Sequence, residues 1–538
     1  MPQRATQGAA VLAAGMACSR LLGFVRDMLL AYLLGAGADP FLVAFRIPNF
    51  LRRLLTEGSL GMAHGAEVSR KLITRGRAAA LVFSRAVCLR LFLFSLIVTA
   101  LLELFAFPVS VLLAPGLSYP ALEKSALLLR LCLPYLPLCA ASAIALVYAA
   151  ALGNFRPQAW SSICLNTAIL CAGGSALLLP CGAALTLFGV RLTIAEIFLC
   201  AGIVCGGLAQ GCLGLRVLCR PDVGTREKIR EMTTRAEVDA LLRHLPASAL
   251  GAAPQQLHLL AGTILASFLA PGSISSLYFA ERLFELPLAL AGVAVGLGSF
   301  VQLTAQAARK DMENFTHTLS DAIRLSAFLS LPAAVGLFTL ACPLAAVLFG
   351  HGAFGREQTA ATAAALRMYA LGLPAMCAAR PFLVAAPALN MPRVPLRTAC
   401  VSLIVFLPIS LAGIAFSDGG MPGTTAGLAL GLSVGAWTNA FLLSRRLQTC
   451  GILRLWRPLR GTLATYVFGA LIMAGILTFV NTRYGPLSAG PLLLLTGVCC
   501  GLWIACFRAL KNKDARFLLD VLCGSRKKQQ DNFIIQMR

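Results

Sequence analysis

Charge is scarce in this 538-residue chain: Asp, Glu, Lys and Arg make up 13% of it, against 58% hydrophobic residues. Soluble globular domains carry roughly 25% charged residues, so a water-soluble fold is excluded. The mean hydropathy of +0.80 places the chain in the polytopic membrane class. Acidic residues are the rarer sign, 22 against 46 Lys and Arg, which leaves a formal net charge of +24. In a soluble protein that surplus would point to nucleic acid. Here the basic residues crowd alternate connections between apolar runs: Arg70, Lys71, Arg75 and Arg77, then Arg156, Arg216 to Arg243, Arg309 and Lys310, Arg393 and Arg397, Arg445 to Arg460, and Lys511 onward. The positive-inside rule accounts for this pattern, places both termini in the cytoplasm and leaves no nucleic-acid partner to expect.

Metal-binding signatures are lacking too. Histidine is limited to 5 residues, and the 19 cysteines show no Cys-x-x-Cys or Cys/His spacing of the zinc type. Most lie inside apolar runs and are expected to be small packing residues, so neither a cofactor nor a disulfide framework is expected. The opening GAAVLAAGMACS imitates a signal peptide but runs straight into Ser19 and Arg20, and is read as the start of the first helix.

The charge that is present gathers in one stretch, Ser19 to Glu57. It reads as two apolar helices joined by the turn Gly35 to Ala38, and it carries Arg20, Arg26, Asp27, Asp39, Arg46, Arg52, Arg53 and Glu57. A charge at mid-bilayer costs from about 2.5 to more than about 10 kcal/mol, so such residues face a protein interior or a water-filled cavity. On a helix, Asp39, Arg46, Arg53 and Glu57 fall within about 40° of one another along about 27 Å, close to a hydrocarbon thickness. Pro48 interrupts this stripe and is expected to kink it, which leaves the inward member of the pair Arg52 and Arg53 open. For each residue the competing reading is a buried ion pair that locks two helices. For the group, arginines outnumber carboxylates, and the surplus requires an anionic partner from outside.

About fourteen apolar spans follow in order: 9–34, 39–66, 80–104, 124–152, 158–180, 194–217, 245–270, one around 273–296, then 324–349, 359–388, 396–416, 424–444, 461–481 and 488–507. Arg85 and Arg90 are expected to snorkel to the cytoplasmic side, Arg130 to anchor the outer interface, and Pro134 and Pro137 to bend the fourth span. FPVSVLLAPGLSYP reads as a loop. Residues 219–244 read as an amphipathic cytoplasmic linker between two bundles, 1–218 and 245–448, and Arg309 to Arg324 as a second such segment. In the seventh span Gln255, Gln256 and His258 suit interhelical hydrogen bonds. In the eighth, Glu281, Arg282 and Glu285 share a face just before Pro287. Arg380, between prolines, joins Arg46 and Glu281 as a cavity candidate. LVAFRIP at 42–48 and YFAERLF at 278–284 match faintly, Arg46 over Arg282, which suggests a repeated half. The last two spans, within 449–510, hold no charge between their ends and are expected to face lipid, and 511–538 is a basic tail.

SRLLGFVRD at 19–27, DPFLVAFRIPNFLRRLLTEG at 39–58 and YFAERLFELP at 278–287 closely resemble the MviN/MurJ family of bacterial lipid II flippases, in the multidrug/oligosaccharidyl-lipid/polysaccharide exporter superfamily. The resemblance implies an all-α polytopic membrane protein. Its about 14 transmembrane helices would form two pseudo-symmetric six-helix bundles around a central cavity, plus two C-terminal helices forming a groove for the polyprenyl tail. It implies residence in the bacterial inner membrane, with lipid II as substrate and cell-wall synthesis proteins as candidate partners. By motif, the family's cavity arginines fall on Arg20, Arg26, Arg52, Arg53 and Arg282, with Asp27, Asp39, Asn49 and Glu285 at gate or partner positions, beside Glu57. Two departures touch hinge-like positions. His64 and Glu67 stand where the family has a polar-aromatic run ending in Pro, and Val301 and Gln302 where it has a late Pro. The acidic residues by which some relatives bind sodium are missing from the seventh and eleventh spans. Two transport rivals remain: a flippase for another polyprenyl-diphosphate oligosaccharide, which the same arginines would serve, and a drug or cation antiporter, which the arginine surplus disfavours. A non-transporting scaffold is the third reading.

Overall fold

The computed structural model describes residues 2–56, 59–180, 183–219, 235–242, 257–391, 393–417, 419–449, 457–484, 488–510, 512–515 and 519. Among them, nine helices have the length and composition to cross a membrane, or ten if one bent pair counts as a single span. Helices suit this chain because each satisfies its own backbone hydrogen bonds in a medium that offers none. The chain divides into two compact units, residues 1–279 with 349–358, and residues 280–348 with 359–538.

In the first unit, α1 (Pro2–Leu34) passes through a 3-10 turn at Gly35–Ala38 into α2 (Asp39–Thr56). Gly35 takes a φ of 51°, and a Cβ there would stand 2.0 Å from the Ala353 carbonyl oxygen, so only glycine fits. Pro48 lies inside α2 without ending it. The second span was expected to reach residue 66. Instead α3 (Ser59–Thr74) carries helix through most of the expected basic turn, and α4 (Gly76–Leu104) follows. The reason is α10 (Arg235–Leu242), the described part of 219–244, which packs on α3 and α4. Its Val238 and Leu241 join their buried core. Lys71, 1% exposed, bonds Glu237 at 2.9 Å and lies over the Phe83 ring, while Arg75 bonds Glu237 at 3.0 Å and Arg90 pairs with Asp239. His64 is fully buried, stacked on Phe83 and 3.4 Å from the Ser84 hydroxyl. At this departure from the family pattern, an imidazole fills the core.

The expected loop at FPVSVLLAPGLSYP contains α5 (Ala106–Leu113), because the run is apolar enough to prefer a helix. The fourth span is α6 (Tyr119–Cys132) and α7 (Tyr135–Ala151), bent by 42° at Leu133 and Pro134, where proline removes a hydrogen-bond donor. Arg130 donates to the Glu103 carbonyl, and Arg85 to that of Leu218. Between α8 (Arg156–Ala176) and α9 (Ile194–Leu218) lies a hairpin, β1 (Ala184–Leu187) and β2 (Val190–Thr193), turned by Phe188 and Gly189 with positive φ. The unit continues with α11 (Leu257–Ser267) and the start of α12 (Ser273–Leu288). Gln255 and Gln256 lie outside the described residues.

In the second unit the rest of α12 leads through a π turn (Ala289–Val293) to α13 (Ala294–Ala308). The bend expected after Pro287 takes the form of that extra-residue turn. The segment expected to be a separate amphipathic helix at 309–324 is the first part of α14 (Met312–Thr339), capped by Asp311, and a break at Leu340 precedes α15 (Ala341–Phe349). α16 (Arg356–Ala388) runs on through Pro374 and through Pro381 and Pro387, the two prolines beside Arg380 that were expected to break it. Neighbouring groups and small local adjustments let membrane helices tolerate proline. α17 (Val394–Ala415) and α18 (Met421–Gln448) meet at Gly413 and Gly427, where a Cβ on Gly427 would stand 2.3 Å from the backbone opposite. α19 (Arg457–Tyr484) packs on α14, and with α20 (Ala489–Ala509) it builds an aromatic cluster of Phe328, Tyr466, Trp503 and Phe507. Phe468, Leu471, Phe479 and Leu494 lie exposed on these two helices, a surface suited to lipid.

Candidate functional site

In the first unit the arginine at the centre of the leading motif is held on three sides. Arg26 Nε and Nη2 donate to Asp27 Oδ1 at 3.0 and 2.7 Å, and Nη1 donates to Asn166 Oδ1 at 3.0 Å. Asn166, a lone amide in the apolar face of α8, is fixed in turn by donating to the Ser19 carbonyl at 2.9 Å. The Tyr278 hydroxyl donates to Asp27 Oδ1 at 3.2 Å. Asp27 is 2% exposed and Arg26 15%, so the pair is shielded. Asn166 and Tyr278 were missed in the sequence. A single amide among apolar residues and a tyrosine inside a charged motif were the available signals.

The remaining residues of the stretch divide. Arg20 is exposed and makes no hydrogen bond or ion pair among the described residues. Arg52 donates to Asn49 Oδ1, at 3.4 Å from Nε and 3.3 Å from Nη2. Arg46 donates to the Leu259 carbonyl at 3.1 Å. Asp39 is taken by backbone: it accepts from Gly272 N–H at 2.7 Å and Ser275 N–H at 2.8 Å, at the positive end of α12. The Arg53 side chain and Glu57 lie outside the described residues, and with them half of the expected stripe.

In the second unit Arg282 bonds Glu285 at 2.5 Å, one turn along α12 as their spacing implied, and Glu281 beside them is half-buried. Arg380 stands on α16 against Gly292 and Gly296. Each unit thus carries an arginine within an apolar helix, held by a carboxylate of its own helix. Planar guanidinium donates paired, charge-assisted hydrogen bonds to phosphate and stays protonated at any working pH. Among the described residues no group of three or more His, Cys, Asp and Glu gathers to hold a metal.

Residues 30–496 match the family described as "Lipid II flippase MurJ". The chain belongs to the MurJ family. A Vibrio cholerae serotype O1 relative named "Probable lipid II flippase MurJ" is 31% identical over 527 residues, spanning 94% of this chain and 96% of the relative. A solved structure described as "Lipid II flippase MurJ, inward closed conformation" superposes with a TM-score of 0.72 at 20% identity, covering 94% of this chain and 100% of that one. An inward-facing multidrug resistance MATE transporter of the MOP superfamily superposes with a TM-score of 0.64 at 15% identity, covering 80% and 95%. The two structures share this chain's all-α, multi-pass membrane fold, and the MurJ family is one of transporters.

Proposed function

We propose that this chain translocates lipid II, the undecaprenyl-diphosphate-linked disaccharide-peptide precursor of peptidoglycan, from the cytoplasmic to the outer leaflet of the bacterial inner membrane. It does so by alternating access, with both termini cytoplasmic and without making or breaking a bond. The task is to carry a diphosphate and sugars through about 30 Å of hydrocarbon while the isoprenoid stays in lipid. The observation that carries this reading is the set of arginines within apolar helices, Arg26 on Asp27 and Arg282 on Glu285, each held by a carboxylate it can exchange for phosphate. Family membership supports the substrate.

In this reading Arg20, Arg26, Arg52, Arg53 and Arg282 receive the diphosphate, while Asp27 and Glu285 hold Arg26 and Arg282 between cycles. The bundles 1–218 and 245–448 do the opening and closing. The uncharged faces of α19 and α20 accept the polyprenyl tail, and cell-wall synthesis proteins receive the product. A flippase for another polyprenyl-diphosphate sugar would use the same arginines, so the decisive experiment compares substrates. Purified protein in nanodiscs is expected to bind lipid II in preference to a polyprenyl-diphosphate sugar of another class. The gene is expected to rescue a cell deficient in lipid II export, and Arg26→Ala and Arg282→Ala are expected to abolish rescue at normal abundance. Rescue by both variants would remove the transport-site reading.

A further inference from the structure

Arg380 has no task in the reading above. It lies deep in α16, makes no hydrogen bond or ion pair among the described residues, and is half-buried. Glycine makes room for its stem: a Cβ at Gly292 would stand 3.3 Å from Arg380 Cγ, and one at Gly296 3.2 Å from Arg380 Cβ. Gly292 belongs to the π turn Ala289–Val293 and Gly296 to the first turn of α13. Such turns are rare and concentrate at functional sites. The helix that carries Arg282 and Glu285 is therefore widened, and offers glycine at two positions, where it passes Arg380. Among the described residues Glu285 is the carboxylate close enough to act electrostatically on Arg380, and in this structure Glu285 is bonded to Arg282.

A guanidinium at this depth requires an anion. A diphosphate arriving at Arg282 would repel the carboxylate already there. We infer that Arg380 is the alternate partner of Glu285: as Arg282 turns to the diphosphate, Glu285 leaves it and pairs with Arg380. Arg380 is thus a positioning residue that acts through Glu285, and the inference rests on Arg282 receiving the diphosphate.

The test measures binding of undecaprenyl diphosphate to the full-length protein in nanodiscs, with thermal midpoints recorded for every variant. Arg380→Ala is expected to weaken binding about ten-fold or more, and Arg380→Lys to retain most of it. With Glu285→Gln present there is no carboxylate to relocate, so adding Arg380→Ala is expected to change affinity by less than about two-fold. Unchanged binding in Arg380→Ala overturns the inference, and so does an equal loss with and without Glu285→Gln, which would mean direct contact with the ligand. Unchanged binding in Arg282→Ala is a separate outcome that defeats the diphosphate reading itself.

Discussion

Asp39 caps Ser275 across most of the first unit's sequence: its Oδ1 accepts the Ser275 N–H at 2.8 Å, while its Oδ2 accepts that of Gly272 at 2.7 Å. A buried carboxylate on the amides of a helix start gains from both the hydrogen bonds and the positive end of the dipole. Asp39→Ala is expected to cost about 1–3 kcal/mol, read as a lower thermal midpoint and reduced membrane abundance, and Asp39→Asn to recover part of it. If instead Asp39→Ala loses transport at full stability, Asp39 is a gate and its capping is incidental.

Asn166 sets how much negative charge surrounds Arg26. Asn166→Asp is expected to place a second carboxylate beside the guanidinium and to weaken undecaprenyl diphosphate binding by at least about ten-fold, since phosphate must displace it. Asn166→Ala removes only a neutral acceptor and is expected to have the smaller effect. The reverse ranking would mean that Arg26 is not a phosphate site.

Within the first unit, charge fastens α10 to α3 and α4. Lys71→Met removes the Lys71–Glu237 bond and is expected to destabilise the protein by about 1–3 kcal/mol, below the figure for a sealed ion pair because Glu237 keeps access to water. A double-mutant cycle with Glu237→Gln reads the coupling. Absence of coupling would show that the Lys71–Glu237 bond contributes nothing to the docking of α10. Nearby, the Arg70 hydrogen bonds hold the Glu67 carboxyl below its usual 4.5. Its contribution is complete above that pH and fades as pH falls through the lowered value, so the protection of α3 amides, taken relative to their intrinsic exchange rates, is expected to fall in acid.

Asp514 ties the chain after α20 to two helices: Oδ2 accepts from Arg324 Nε at 2.8 Å and from the Tyr466 hydroxyl at 2.5 Å. Asp514→Ala is expected to cost about 1–3 kcal/mol and Tyr466→Phe about 0.5–1.5 kcal/mol. Thermal midpoints of purified variants check both. Equal, negligible effects would assign the docking of α19 and α20 to their aromatic cluster.

The class of the fold and most spans were readable because a long apolar run has few options in lipid. The pairing of Arg282 with Glu285 was readable as well, since residues three apart share a helix face. Arg26 with Asp27 was not, because adjacent side chains diverge and only a guanidinium curling back, steadied by Asn166 from α8, brings them together. The fate of Asp39 was hidden for another reason: its partners are amides whose sequence carries no sign of needing a cap. The helix in α3 beyond residue 66 depended on a tertiary neighbour, and tertiary packing overrides local pattern.

Gly413 and Gly427 leave the main chains of α17 and α18 touching, with no side chain between them to change rotamer. Two rods joined so closely have nothing to slide on, and they travel as one stiff piece. Whatever bending the second unit undergoes must be taken up elsewhere, and the underwound register after Pro287, already one residue out of step, is the place built to yield.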